Sequence, residues 1–162
     1  MNMTHYMALL TDNQPWNLII FMALPVIMAE ALTITEFFII FNKIQQGGIR
    51  TLNKIIGIFD GFYFTGIFIY LFITAVIPLS TSGGWHTWVD VIAVGFYLSG
   101  VIFLLPIALM ELGVIFKKKT LDEKMKIHFI LISGFLVVAH IAMIFGMVNP
   151  EIINKMSGMP GM

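Results

Sequence analysis

The chain has 162 residues, of which 59% are hydrophobic and only 11% charged, and a mean hydropathy of +0.94 leaves too little polar surface to cover a water-soluble globule. Nine Lys and Arg balance nine Asp and Glu, so the basic surplus that draws proteins to nucleic acid is missing and no nucleic-acid partner is expected. With no cysteine there is no disulfide, thiolate ligand or catalytic thiol, and a metal would have to use His, Met or carboxylate.

Four apolar runs, at about 15–41, 55–79, 88–116 and 125–148, are near or above the roughly 20 residues that cross a bilayer core as helix. The first starts late and has neither a basic leader nor a small-residue cleavage site after it, so it reads as a retained span. The connections are short. The expected fold is therefore all-α, a four-transmembrane-helix bundle forming one integral-membrane domain over residues 1–162, with the lipid bilayer as its immediate partner.

Basic residues set the expected orientation. Lys43, Arg50 and Lys54 flank the first loop, and Lys117, Lys118, Lys119, Lys124 and Lys126 flank the third, which places both loops in the cytoplasm and both termini on the outer, periplasmic side. Trp16, Trp85 and Trp88 fall at the opposite boundary, where indoles prefer to sit. Thr120 to Glu123 reads as a capping box that opens the fourth helix. Gly57 and Gly61 form a small-xxx-small pair that would let helices approach closely, within the chain or in a homo-oligomer. Pro25 and Pro106 lie inside spans and should kink them.

Ionisable groups inside the spans fall at two levels. Glu36, Asp60, Glu111 and His128, one from each helix, lie roughly 9–14 Å to the cytoplasmic side of the midplane when depth is counted at about 1.5 Å per residue. A carboxylate at the centre of a span costs about 2.5–3.5 kcal/mol, so four such groups at one depth call for a shared partner: a proton, a hard or borderline cation, or each other. The alternative is that the carboxylates snorkel to the inner interface or pair with loop lysines. Glu30 sits near the midplane, and His140, Met143 and Met147 form one stripe of the fourth helix further out. Imidazole with two thioethers suits Cu(I), although a methionine stripe also fills irregular helix interfaces.

A haem b ranks below copper as a cofactor. His128 and His140 both belong to the fourth helix, about 18 Å apart, and cannot ligate one haem together. His5 and His86 could serve only if their segments dip inward.

The outer ends carry soft donors. The N-terminus reads Met1-Asn-Met3-Thr-His5-Tyr-Met7 and the C-terminus Met156-Ser-Gly-Met159-Pro-Gly-Met162; closely spaced thioethers can wrap a soft monovalent ion, and unlike thiolates they do not form disulfides in an oxidising compartment. These ends resemble the extracellular segments of copper transporters and periplasmic copper-handling proteins. Taken with the two inner levels, they draw a graded route of weak sites of the kind ion movement requires.

The segments Gln14-Pro-Trp-Asn17, Ala29 to Glu36 and Ala139 to Met147 resemble a family of small bacterial inner-membrane proteins of unknown function, some loosely labelled permeases. The resemblance spans all four helices and implies a bacterial inner (cytoplasmic) membrane location. It brings no mechanism with it.

Two function classes follow. One is a membrane protein that handles a metal, foremost copper, and exchanges it with a periplasmic carrier. The other is an accessory or anchor subunit of a respiratory complex, contacting quinone, haem or protons beside larger subunits. No nucleotide-binding glycine loop, Ser-His-Asp arrangement or zinc-protease spacing is present, so an enzyme in its own right is the least supported reading.

Overall fold

A computed structural model describes residues 4–44, 46–85 and 87–148, and its regular structure is helical throughout. A short helix α1, His5–Thr11, precedes four helices long and apolar enough to cross a membrane: α2, Trp16–Phe41; α3, Gly48–Ser82; α4, Trp88–Glu111; and α5, Leu121–Gly146. Each long helix packs on its neighbours in chain order, and α5 closes the ring against α2. Ile27, Phe59, Ile102 and Ile130 are among many large apolar side chains left exposed around this bundle, as expected where lipid is the solvent. The protein is a multi-pass membrane bundle.

The helix boundaries differ from the apolar runs in two instructive places. α3 begins at Gly48 and so carries Arg50, Asn53 and Lys54 on helix instead of loop. α4 ends at Glu111, short of the predicted 116, because the chain turns left-handed at Gly113 and Phe116. The expected capping box at Thr120 is present, with reciprocal bonds to Glu123.

Prolines shape two helices. Each of the π-helical turns, Ile19–Ala23 and Phe72–Val76, lies just ahead of a proline, Pro25 or Pro78. A wider turn relieves the clash between the proline ring and the carbonyl four residues back, but it leaves carbonyls without helical donors. In α2 two tyrosines supply them. Tyr97 of α4 donates its hydroxyl to the Phe21 carbonyl and Tyr63 of α3 donates to the Ile20 carbonyl at 3.0 Å. The π-helical turn is thereby tied to α3 beside it and to α4 across the bundle, and these bonds also satisfy backbone groups that lipid could not.

α1, which the apolar runs did not reveal, lies across the tryptophan-bearing end of the bundle. Thr4 donates to the Gly146 carbonyl at 2.7 Å, and the His5 backbone N–H donates to Asp90 Oδ1 at 2.7 Å. Tyr6 and Leu10 are buried beneath it, with the Tyr6 ring 5.1 Å from that of Tyr97. Burial pushes the Tyr6 phenol up from its ordinary 10.0 to about 12, so the fold holds the neutral form. Its contribution to stability is intact below pH 10, the unfolded value, and is lost as the pH rises toward about 12. Tryptophan fluorescence on alkaline titration should report release of α1 in this window, and Tyr6→Phe should delay it.

The closest helix approach is between α3 and α4. A Cβ added to Gly61 would stand 2.6 Å from both the Leu104 carbonyl oxygen and the Ala108 Cβ. Gly61→Ala should therefore lower stability by about 1–3 kcal/mol. Gly66→Ala, which meets nothing within 4 Å, should be neutral or slightly stabilising; thermal unfolding of both variants in one detergent is the check.

Candidate functional site

Near the end of the bundle that carries the basic loops, helical spacing puts Arg50, Asn53, Gly57 and Asp60 on one stripe of α3. Opposite them stand Glu36 of α2, Glu111 at the end of α4 and His128 of α5. Arg50 Nη2 donates to both carboxylate oxygens of Glu111, at 2.8 and 3.1 Å, while its Nη1 donates to Asn53 Oδ1 at 2.9 Å. Asn53 Nδ2 then donates to Glu36 Oε2 at 3.1 Å and to Thr35 Oγ1 at 3.0 Å. The guanidinium charge is thus passed by one amide to a second carboxylate.

His128 sits between the two glutamates. Its Nδ1 is 2.7 Å from Glu36 Oε2 and its Nε2 is 3.8 Å from Glu111 Oε1, but neither nitrogen is aligned for a hydrogen bond. Gly57 packs against Ile107 and the imidazole: a Cβ there would lie a tight 3.1 Å from Ile107 and in ordinary contact, 3.5 Å, with Nε2. Glu36, Asn53, Asp60 and His128 have no solvent exposure, whereas the Arg50 side chain keeps 16%. Arg50 is therefore the member of the network that meets solvent, at the basic end.

Asp60 differs from its neighbours. Both of its carboxyl oxygens and Glu36 Oε1 are buried without a hydrogen-bond partner among the described residues. It lies about 10 Å further along α3 than Asn53, counting seven residues at about 1.5 Å each, and within electrostatic reach of Tyr63 and Tyr97. Beyond it the bundle closes. Tyr6, Phe21, Phe64, Tyr97 and Phe135 surround a cavity of about 10 Å³, the volume of roughly one water at most. The polar centre is therefore headed by a partly exposed guanidinium toward one end and bounded by aromatic side chains toward the other.

Of the four inner residues singled out in the sequence, Glu36, Glu111 and His128 come together. Asp60 shares their buried interior but touches none of them at ion-pair distance. Glu36 and Asp60 do not snorkel, and the partner of Glu111 is Arg50 and not a loop lysine. Among the described residues no three acidic or imidazole groups converge closely enough to hold one metal ion; the donors are strung out along the helix axis.

The outer level is dispersed. Glu30 and His140 lie on exposed faces of α2 and α5, and His140 Nδ1 donates to the Leu136 carbonyl at 2.6 Å. Met143 is half-buried and lines the small aromatic cavity, while Met147, just past the end of α5, is 68% exposed. At the tryptophan end His5 meets the buried carboxylate of Asp90 and packs edge-on to Trp85, and Met7 is half-buried. Met3, His86, Met156, Met159 and Met162 lie outside the described residues.

Three polar residues of this architecture escaped the sequence reading. Arg50 and Asn53 were hidden by placing the start of α3 at 55; the 50–53–57–60 spacing of polar and small residues was the available signal. Asp90 gives no signal in the sequence beyond lying near the start of the third apolar run, and only the fold of α1 over that end shows it buried.

A buried ionisable centre drawn from all four helices of a lipid-solvated bundle defines an integral-membrane protein with a polar site built into its interior. The whole chain, residues 1–162, matches the model described as Family of unknown function (DUF6803), and the protein belongs to that family. Neither the curated proteins nor the solved structures contain a match.

Removing one member of the Arg50–Glu111 pair should strand a charge in the bundle. Arg50→Gln is expected to cost about 3–5 kcal/mol, and Arg50→Gln combined with Glu111→Gln much less. A double-mutant cycle by thermal unfolding tests this: if the double variant is as unstable as the sum of the singles, the two side chains do not act as a pair.

Proposed function

We propose that the protein is a membrane-embedded cation-handling protein that relays protons across the bilayer through its inner centre, loaded from the basic end of the bundle and passed on when the aromatic plug moves. The supporting observation is one of charge. With neutral His128, the buried set of Glu36, Asp60, Glu111 and Arg50 sums to −3 + 1 = −2. A net charge in a low-dielectric interior is costly, so the centre must take up two positive charges. The unpartnered oxygens of Asp60 and the unaligned nitrogens of His128 are where they are received. Donors spaced along an axis and headed by a partly exposed guanidinium suit a proton relay better than a tight site for one metal ion. The same reading has the basic loops in the cytoplasm of a bacterial cell, with the protein in its inner membrane.

A second reading, collection of Cu(I) at the other end, is favoured by one contact. The hydrogen bond from Thr4 to Gly146 ties the root of the Met3-Thr4-His5-Tyr6-Met7 segment to the root of the methionine-bearing C-terminal tail. From both roots the sequence continues into thioether-bearing chain, and soft donors favour a soft ion. In that case the relay would supply counter-protons for copper movement.

Proteoliposomes holding a pH-sensitive dye test the relay. Under a potassium diffusion potential the wild-type protein should pass protons faster than empty vesicles, and Asp60→Asn or His128→Asn should reduce the flux at least tenfold, while Lys117→Gln should not. Wild-type flux equal to that of empty vesicles sinks the relay. Copper is tested separately by metal content of the purified protein: near-stoichiometric Cu(I), lost when Met156, Met159 and Met162 are changed to Leu, is the expected result. Metal-free protein that co-purifies with oxidase or dehydrogenase chains would instead identify an accessory subunit.

A further inference from the structure

At the basic end, antiparallel α2 and α5 leave a groove between them that neither the relay nor the methionine clusters use. It consists of two adjoining cavities of about 320 and 400 Å³ that share Ile40 and Lys126, each within the range of about 300–1,000 Å³ usual for ligand sites. Their chemistry differs. The first, at the mouth, carries Lys43, Asp122 and Lys126 beside Ile44 and Met125. The second, deeper along the helices, is walled by Phe37, Phe41, Phe129 and Ile130, with the Phe37 and Phe41 rings stacked 5.7 Å apart. A charged mouth at the bundle end leads into an apolar trough directed toward the bilayer centre, which is the polarity profile of a lipid.

We infer that this groove is a binding site for a singly anionic glycerophospholipid. Its phosphate would sit between Lys43 and Lys126, and an acyl chain would lie against Phe37, Phe41, Phe129 and Ile130. Charge selects the class. Two lysines and Asp122 give the mouth a net charge of +1, which one phosphodiester neutralises. Asp122, an acceptor only, suits a headgroup with hydroxyls to donate, whereas a choline would bring a second fixed positive charge beside the lysines and no donor. The backbone holds the lip in place. Asn42 Nδ2 donates to the Phe38 carbonyl at 3.0 Å, and Lys43 adopts a left-handed φ of 51° that ends α2 and sets Lys43 at the groove.

Native mass spectrometry of the full chain in detergent tests the site, with phosphatidylglycerol and phosphatidylcholine as probes. Lys43→Asn, which keeps a residue that tolerates left-handed φ, is combined with Lys126→Gln. The control is Lys117→Gln with Lys118→Gln, which removes the same charge from the neighbouring loop. One phosphatidylglycerol should be retained in preference to phosphatidylcholine, its affinity should fall at least tenfold in the groove variant, and the control should bind as the wild type does. Equal retention of the two lipids, or an equal loss in the control, overturns the proposal. So does displacement of the lipid by millimolar inorganic phosphate, which would show a bare anion site with no contribution from the trough. Unchanged helical circular dichroism in both variants shows that the comparison is between folded proteins.

Discussion

The structure depends on the handling of buried charge in a medium that cannot solvate it. Arg50 and Glu111 form a two-pronged pair, Asn53 connects the pair to Glu36, and His128 fills the space between the glutamates. Those five side chains come from all four membrane helices. Sliding any one helix by a turn would strand a carboxylate or the guanidinium in hydrocarbon, so the network acts as a register lock as well as a site. Apolar packing alone would not be so exacting, because lipid tails and leucine side chains are nearly interchangeable neighbours.

Small residues and prolines make that network geometrically attainable. Gly57 lets Ile107 of α4 pack close beside the His128 ring, and Gly61 lets α3 approach the α4 backbone one turn away. In the other half of the bundle the π-helical turn ahead of Pro25 releases carbonyls that Tyr97 and Tyr63 bind. Tyr97 also belongs to the aromatic plug that separates Asp60 from the tryptophan end, where α1 closes the bundle through Tyr6 and the His5–Asp90 contact. Polar support for the released carbonyl and aromatic bulk for the seal meet in that one side chain.

The consequence is a molecule with two unlike ends. The basic end has a partly exposed guanidinium and a groove with a charged mouth; the other is capped by α1, held through Thr4 to Gly146 and His5 to Asp90. An interior centre headed by a partly exposed guanidinium is suited to taking up protons from that end, and passage to the other side would need the plug of Tyr6, Phe64, Tyr97 and Phe135 to move.

The four spans, their up-and-down order and the capping box at Thr120 were legible in the sequence alone, because hydrocarbon imposes one local requirement on every residue of a span and helix capping is settled within four residues. The depth of Glu36, Glu111 and His128 was equally legible, since rise per residue is fixed. Which way a side chain points around the helix was not. Depth placed Glu30, His140 and Met147 on a route with the inner residues, yet the tertiary structure turns them to exposed faces while it turns Asp60 inward. Arg50, Asn53 and Asp90 stayed hidden because they stand where a polar residue is unremarkable by sequence, at the ends of spans. Only the packing of α3 against α4, and of α1 over the bundle, took them out of water. Local chemistry determined what crosses the membrane and at what height; the contacts between helices decided which polar groups share an interior, because azimuth is set by neighbours and not by sequence spacing within one helix.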